Sequence, residues 1–171
     1  DAFRGFRQPA LQSHSIMANA FMARAIELAM DNVCSGRGGP FAAVVVKDGL
    51  IVAEGANSVT AANDPTAHAE INAIRNACKK LDLFELRGCE IYTSCEPCPM
   101  CLGAIYWARA DRVFFACTAR DAAEAGFDDS FIYQEIARPR EQRGIPLQPM
   151  MREESLAVFR AWIAKPDKTL Y

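Results

Sequence analysis

Hydrophobic positions recur along the chain at two periods, which predict alternating helices and strands. Between Ser15 and about Cys34, apolar residues return every three or four positions and predict a first helix, with Ser15 as its cap. The face expected to be buried carries Met22, Ile26, Ala29 and Val33. A stretch rich in glycine, from Gly36 to Pro40, ends this helix.

Two runs rich in β-branched residues follow and predict a pair of strands, Phe41 to Val46 and Leu50 to Glu54. They are joined by Lys47-Asp48-Gly49, and Asp-Gly between two such runs favours an antiparallel hairpin. Gly55 to Asn63 is rich in Asn, Ser and Thr, which is typical of a loop.

Asp64-Pro65 predicts the start of a second helix, with Asp as the cap and Pro in the first turn. The inward positions of this helix are Ile71, Ile74, Cys78 and Leu81. A strand, a helix and another strand then follow: Cys89 to Ser94, Glu96 to about Arg109, and Arg112 to Thr118. Such a unit places its strands parallel, with a right-handed crossover.

These elements predict an α/β fold, a three-layer α/β/α sandwich with a mixed central sheet flanked by helices. Its sheet is expected to open with the antiparallel hairpin and continue with parallel strands. A short helical piece, a turn-like Gly126 to Asp129, a connection over 137–150 and a final helix from about Glu153 to Ala164 complete the chain. That helix is expected to bury Leu156, Phe159 and Ile163. Residues 1–14 are an N-terminal extension, and 15–171 are predicted to be a single domain.

The composition suits one globular domain, because 171 residues that are 51% hydrophobic and 23% charged can bury a core. With a net charge of −2, the chain lacks the excess of basic residues that is typical of a nucleic-acid binder. This favours a small, uncharged substrate. No apolar run approaches the length of a membrane span. Seven cysteines without a secretory signal indicate a reducing cytoplasm, with thiols available for a metal.

Candidate chemistry is concentrated in two short motifs, His68-Ala69-Glu70 and Pro97-Cys98-Pro99-Met100-Cys101. One imidazole and two thiolates are a three-ligand zinc set that keeps a fourth position open for water. The pattern H-x-E…P-C-x-x-C is the signature of the zinc deaminases. His68, Cys98 and Cys101 are therefore the predicted zinc ligands, and Glu70 is the predicted proton shuttle.

Two other interpretations of these cysteines stay open. Cys95 could join the three ligands in a closed structural Cys₃His zinc site. The cysteine run also resembles part of an iron–sulfur motif, although Ile105 stands where its fourth cysteine is expected. The other four cysteines fall in apolar patterns and are expected to be small core residues: Cys34, Cys78, Cys89 and Cys117.

With these motifs, the chain resembles the cytidine/deoxycytidylate deaminase-type zinc superfamily, and within it the bacterial guanine deaminases. The segments that carry the likeness are 39–44, 63–70, 92–109 and 122–131. The resemblance implies one Zn²⁺ per subunit and hydrolysis of guanine to xanthine and ammonia. It also implies the same ligands, His68, Cys98 and Cys101, with Glu70 as the shuttle.

The resemblance further implies a base pocket formed by Phe41, Asn57, Ala69 and Asp129, in which Asp129 accepts from the N–H edge of guanine. It implies a homodimer that exchanges its C-terminal segments, about 137–171, so that Tyr171 closes the partner's active site. Each residue also has a purely structural interpretation: Phe41 as core, Asn57 as a turn residue, Asp129 as a helix cap and Tyr171 as a loose end.

Two other functions compete with this one. The first is deamination of another base or nucleoside: cytosine, an ammeline-like triazine or tRNA adenosine. The low charge argues against the tRNA substrate. The second is a non-catalytic structural zinc domain, which would not need Glu70.

Overall fold

A computed structural model describes the backbone of residues 15–170 and the side chains from Ala18 onwards. The N-terminal extension 1–14 and Tyr171 lie outside the described residues. The chain divides after Asp129 into two compact units.

The first unit is built on a four-stranded mixed sheet with the order β2-β1-β3-β4. The strands are β1 Ala42–Lys47, β2 Leu50–Ala56, β3 Cys89–Cys95 and β4 Arg112–Cys117. β1 is antiparallel to both β2 and β3, whereas β3 and β4 are parallel. At the hairpin turn, Asp48 and Gly49 both have positive φ (50° and 74°), as the predicted Asp-Gly turn requires. The predicted mixed sheet is confirmed.

Helices cover both faces of this sheet. On one face, α1 (Ser15–Cys34) packs its Ala25 among Val44, Val46 and Tyr92. On the other face, α3 (Ala69–Leu81) and α4 (Pro99–Ala108) pack against Val45 and its neighbours. Successive side chains of a strand point to opposite faces, so the apolar run of β1 serves both layers. Two short helices complete the unit, α2 (Val59–Ala62) and α5 (Ala119–Glu124).

The buried face of α1 differs from the prediction. Ile26 and Val33 are each 47% exposed, whereas Ala25, Ala29 and Asn32 are buried. Small side chains on the inner face bring the helix axis close to the sheet, which leaves the larger apolar residues outside. The prediction is confirmed for Ala29, which is buried, and for Met22, which packs against the core, but it was wrong for Ile26 and Val33.

The start of α3 was also predicted wrongly. Asp64 does not cap this helix: its Oδ1 accepts hydrogen bonds from the N–H (2.8 Å) and hydroxyl (2.7 Å) of Thr66 and closes a separate turn. The helix begins at Ala69, and His68 stands at its N-cap with extended backbone angles. The buried positions of α3 are Ala69, Glu70, Ala73 and Ala77. Ile74, Cys78 and Leu81 pack at the margin of the core as half-buried residues.

Gly55 in β2 allows α3 to approach the sheet closely. A Cβ atom at this position would overlap with the backbone nitrogen of Ala73 and the carbonyl oxygen of Ala69. The first turns of α3 therefore lie against the strand backbone with no room for a side chain. Because His68 and Glu70 belong to this end of α3, the contact also sets their depth in the molecule.

The second unit contains α6 (Ser130–Ala137), a 3₁₀ turn (Arg140–Gln142) and α7 (Arg152–Ala164). The predicted inward side of α7 is not buried in the single chain, since Phe159 is 62% and Ile163 is 70% exposed. Leu156 alone of the three is half-buried. Within residues 15–170, no helix is both long and apolar enough to span a bilayer.

Gly55→Ala is expected to lower the free energy of unfolding by about 3 kcal/mol, because the new methyl group must displace backbone atoms. For a chain of this length, the melting temperature should fall by about 6–12 °C. Gly103→Ala in α4 is the matched control, since nothing lies within 4 Å of a Cβ there. It should be neutral or stabilise the helix by up to about 1 kcal/mol. Equal melting temperatures for the two variants would contradict the close approach.

Candidate metal centre

The three predicted zinc ligands lie at the N-terminal ends of two helices. His68 occupies the N-cap of α3, and Cys98 occupies the N-cap of α4, both with extended backbone angles. Pro99 stands at the first helical position of α4, where a missing N–H costs nothing, and Cys101 follows one turn after Cys98. Helix N-termini carry partial positive charge, which stabilises thiolates and other anions nearby.

The donor atoms of these residues form a compact cluster. His68 Nδ1 lies 3.5 Å from the sulfur of Cys98 and 3.5 Å from the sulfur of Cys101. Tetrahedral zinc with ordinary Zn–N and Zn–S bond lengths separates such atoms by about 3.6 Å. All three donors lie within 4.8 Å of one another, and they are the only such group of His, Cys, Asp or Glu in the described part of the chain. The donor set and its spacing fit zinc.

The thiol protons support the same conclusion. The pKa of Cys98 is lowered to about 4 by a hydrogen bond from Cys101, against the effect of burial, and further by His68. The pKa of Cys101 is raised by its hydrogen bond to Cys98 and by burial. A thiol with a lowered pKa beside a second thiol is suited to a divalent cation, which holds both sulfurs as thiolates when it binds.

Glu70 is a buried carboxyl group beside these donors. It lies in the first turn of α3 and is 6% exposed. Burial raises its pKa, while a hydrogen bond with Cys101 and the charge of His68 oppose the rise. A carboxyl group whose pKa moves toward neutrality can both accept and return a proton, as general acid–base catalysis requires.

Cys95 does not belong to the cluster. It ends β3 as a buried thiol that donates to the carbonyl oxygen of Thr118 at 3.6 Å, and burial raises its pKa to about 11. The closed Cys₃His site is therefore not supported. Cys89 is a core residue and Cys78 packs at the core margin, as expected, but Cys34 and Cys117 are exposed, contrary to the prediction. Cys34 ends α1, and Cys117 ends the edge strand β4, where the apolar pattern continues past the buried region.

Several predicted pocket residues lie on segments next to the cluster. Phe41 precedes β1, and its ring meets the ring of Phe127 edge to face, with centroids 4.9 Å apart. Asp129 follows two residues later, and its charge acts on His68. Burial raises the pKa of Asp129, and the negative charge of Cys98 raises it further. Phe127 was not singled out from the sequence, although it lies in the turn-like stretch that ends at Asp129.

Asn57 and Ala69 belong to segments that lead to His68 or follow it. Asn57 follows β2, and the next residue, Ser58, donates its N–H to the carbonyl oxygen of Ala67 at 3.0 Å, directly before His68. Ala69 is fully buried as the first residue of α3. The first N–H groups of a helix have no partner within it, so the N–H of Ala69 can serve a ligand. Tyr171 lies outside the described residues.

Comparison with known proteins agrees with this geometry. Residues 16–117 match the cytidine and deoxycytidylate deaminase zinc-binding region. The chain belongs to this family. The match spans both metal motifs, so the zinc of the family and the cluster of His68, Cys98 and Cys101 fit each other.

Similarity to individual relatives shows which members of the family this chain resembles. The chain is 61% identical to guanine deaminase of Bacillus subtilis over 88% of its own length and 97% of the relative. The crystal structure of the B. subtilis enzyme superposes with a TM-score of 0.87, at 58% identity, over 90% of this chain and 98% of that one. A guanine deaminase from Nitrosomonas europaea is 31% identical, with a TM-score of 0.62 over 91% of this chain and 94% of that one. A tRNA-specific adenosine deaminase of Aquifex aeolicus is 46% identical over 45% of this chain and 51% of its own.

Cys101→Ser is expected to abolish tight zinc binding, because it removes the fully buried thiolate from a three-ligand set. Metal analysis after dialysis should give about one zinc per chain for the parent protein and close to none for the variant. Cys95→Ala is the matched control and should keep its zinc, since this thiol lies outside the donor cluster. Loss of zinc from Cys95→Ala would instead support the closed four-ligand site with Cys95 as a ligand.

Proposed function

We propose that this protein is a zinc-dependent aminohydrolase that converts guanine and water to xanthine and ammonia. The observation that carries this proposal is the 61% identity to a guanine deaminase over 97% of that relative's length. The clustered metal donors and the buried Glu70 provide the chemical groups that such a reaction needs.

We assign the metal ligands as His68, Cys98 and Cys101. When bound, the zinc acts as a Lewis acid and lowers the pKa of the attacking water. Two thiolates offset most of the charge of Zn²⁺, so a nearby base is needed to complete the activation of the nucleophile. Glu70 is the buried carboxyl group at this place.

Glu70 is proposed to shuttle protons between water and guanine. It takes a proton from the water as oxygen bonds to the ring carbon that carries the amino group. It gives this proton to the adjacent ring nitrogen. It then takes the second proton from the new hydroxyl group and gives it to the amine, and the carbon–nitrogen bond breaks to release ammonia. Burial supports this role, because a carboxylate with a raised pKa accepts a proton from water more readily than an exposed one.

The proposed base pocket combines an aromatic wall with polar groups at its edges. Phe41, held edge to face by Phe127, offers a flat apolar surface to a purine. Asp129 can accept the adjacent N–H donors of guanine. Asn57 and the N–H of Ala69 complete the set. These residues together favour a small planar base as the substrate.

The competing functions have less support. Similarity to the tRNA-specific adenosine deaminase of A. aeolicus is limited to 45% of this chain. The net charge of −2 is also unfavourable for a tRNA partner, so we propose that no nucleic acid binds. A structural zinc domain would leave the burial of Glu70 unexplained, since burying a carboxyl group is costly even when it is hydrogen-bonded.

We further propose a cytoplasmic homodimer whose subunits, each a single domain over 15–171, exchange the C-terminal segment 137–171. Large apolar side chains are exposed in both compact units, and extensive surfaces of this kind mark interfaces. In the first unit they include Tyr106, Trp107 and Phe115, and in the second Phe131, Ile136, Val158, Phe159 and Ile163. A second copy of the chain would cover them, and Tyr171 would close the partner's site.

Steady-state ammonia release should be observed with guanine and be at least 100-fold slower with cytosine, cytidine and adenosine, because only guanine presents adjacent N–H donors to Asp129. Glu70→Gln is the matched variant, since it keeps the shape of the side chain and removes its basicity. We expect about 10²–10⁴-fold lower kcat with zinc content unchanged. An inert guanine would refute the proposed substrate, and a fully active Glu70→Gln would refute the shuttle.

Deletion of Tyr171 is expected to lower kcat/KM for guanine at least tenfold while zinc content and dimerisation stay unchanged, because the lid is lost but the exchanged segment remains. Sedimentation gives the oligomeric state, and kinetics give the effect on turnover. Deletion of 137–171 should instead yield monomers or aggregates. A stable active monomer would contradict the exchange, and an unaffected Tyr171 deletion would contradict the lid.

A further inference from the structure

A buried amide lies on the inner face of α1, at a position that was not among the predicted buried ones. Asn32 is in the last turn of this helix and is 3% exposed. A buried polar side chain must find hydrogen-bond partners to offset the loss of water. The partners of Asn32 connect α1 to the segments that carry two proposed pocket residues.

Both N–H groups of the Asn32 side-chain amide donate hydrogen bonds to segments outside α1. Its Nδ2 donates to the carbonyl oxygen of Gly39 and to the carbonyl oxygen of Asn57, each at 2.9 Å. These acceptors lie 7 and 25 residues away along the chain. Gly38 fits tightly against the same contact, because a Cβ there would overlap with the carbonyl oxygen of Asn57. One side chain thus joins the loop before β1 to the loop after β2.

The backbone of Asn57 is held on both sides. Its carbonyl oxygen accepts from Asn32, and its N–H donates to the carbonyl oxygen of Phe41 at 2.9 Å. Phe41 N–H in turn donates to Gly39 at 2.8 Å. Asn32 therefore braces the backbone that carries both the aromatic wall and the amide of the proposed pocket.

The side chain of Asn57 is held in one orientation as well. Its Oδ1 accepts from the N–H of Gly39 at 3.3 Å and from the N–H of Val59 at 3.4 Å. Since backbone N–H groups can only donate, the oxygen must face them, and the NH₂ group is left to face a ligand. Asn57 accordingly presents a hydrogen-bond donor, which matches an acceptor atom of a purine.

We propose that Asn32 is a positioning residue, which acts through Asn57 and selects a base with an acceptor on that edge. This inference rests on the proposed function, because that function identifies the base as guanine. Among the described residues, the hydrogen bonds of Asn32 reach neither the metal donors nor Glu70. Removing its amide should consequently affect base binding and leave the metal in place.

Kinetics of Asn32→Asp and Asn32→Leu test the proposal. Both variants keep the approximate size of the side chain and remove the donors to Gly39 and Asn57. Zinc content should be unchanged, KM for guanine should rise about five- to tenfold and kcat should change little, as expected for one lost binding contact. Ser35→Ala is the matched control, because it removes a hydrogen bond to the backbone of Asn32 and one from Arg37 but leaves the amide of Asn32 in place, and it should leave KM unchanged.

A double-mutant cycle separates positioning from general stability. If Asn32 acts through Asn57, then Asn57→Ala alone should raise KM by at least as much, and adding Asn32→Leu should raise it little further. Additive effects of the two substitutions would overturn the proposal, as would a KM unchanged in Asn32→Asp. If Asn32→Leu does not fold, the double-mutant cycle is measured with Asn32→Asp in its place.

Crystal structures of the variants give a result that does not depend on guanine turnover. In Asn32→Asp, the side chain of Asn57 should leave the N–H groups of Gly39 and Val59. An unmoved Asn57 would overturn the positioning role even if the parent enzyme proved inert toward guanine. Activity of the parent protein on guanine tests the proposed function separately.

Discussion

The contact between the backbones of β2 and α3 at Gly55 is the constraint on which the site depends. No side chain separates strand from helix there, so the first turn of α3 lies directly on the sheet. This depth brings the imidazole of His68 to 3.5 Å from both sulfurs of α4. A displacement of about 1 Å would spoil tetrahedral geometry, because ligand distances are held to about 0.2 Å.

The electrostatic environment of the metal donors and Glu70 suits them to the proposed chemistry. Two helix N-termini direct partial positive charge at the cluster, which favours thiolates and the zinc they hold. Glu70 lies one residue beyond Ala69 in the same buried turn, so its carboxyl group is removed from water and its pKa rises. Close packing of α3 thus places the metal ligand and tunes the proposed proton shuttle at once.

A second set of contacts, on the other side of the sheet, shapes the proposed base pocket. The amide of Asn32 braces the loops that hold Phe41 and Asn57. A third contact lies beyond β4, where Glu96 accepts from the N–H of Ala119 at 2.9 Å and fixes the start of α5. That segment leads to Phe127, whose ring meets Phe41. The proposed pocket is therefore held by α1, by the loops on either side of the β1–β2 hairpin and by the segment after β4, which are far apart in the sequence.

Local patterns in the sequence determined the strands, the turn at Asp48-Gly49, the mixed sheet, the three clustered metal donors and the buried carboxyl group that is the proposed shuttle. These features depend on residue type and short spacing, as in His68-Ala69-Glu70 and Cys98 to Cys101. Tertiary structure alone decided that α3 begins at Ala69, that Ile26 and Val33 face outward, that Cys95 stays outside the cluster and that Asn32 orients Asn57. Each of these outcomes depends on contacts between residues far apart in the chain, and no local period or motif records how closely two backbones approach.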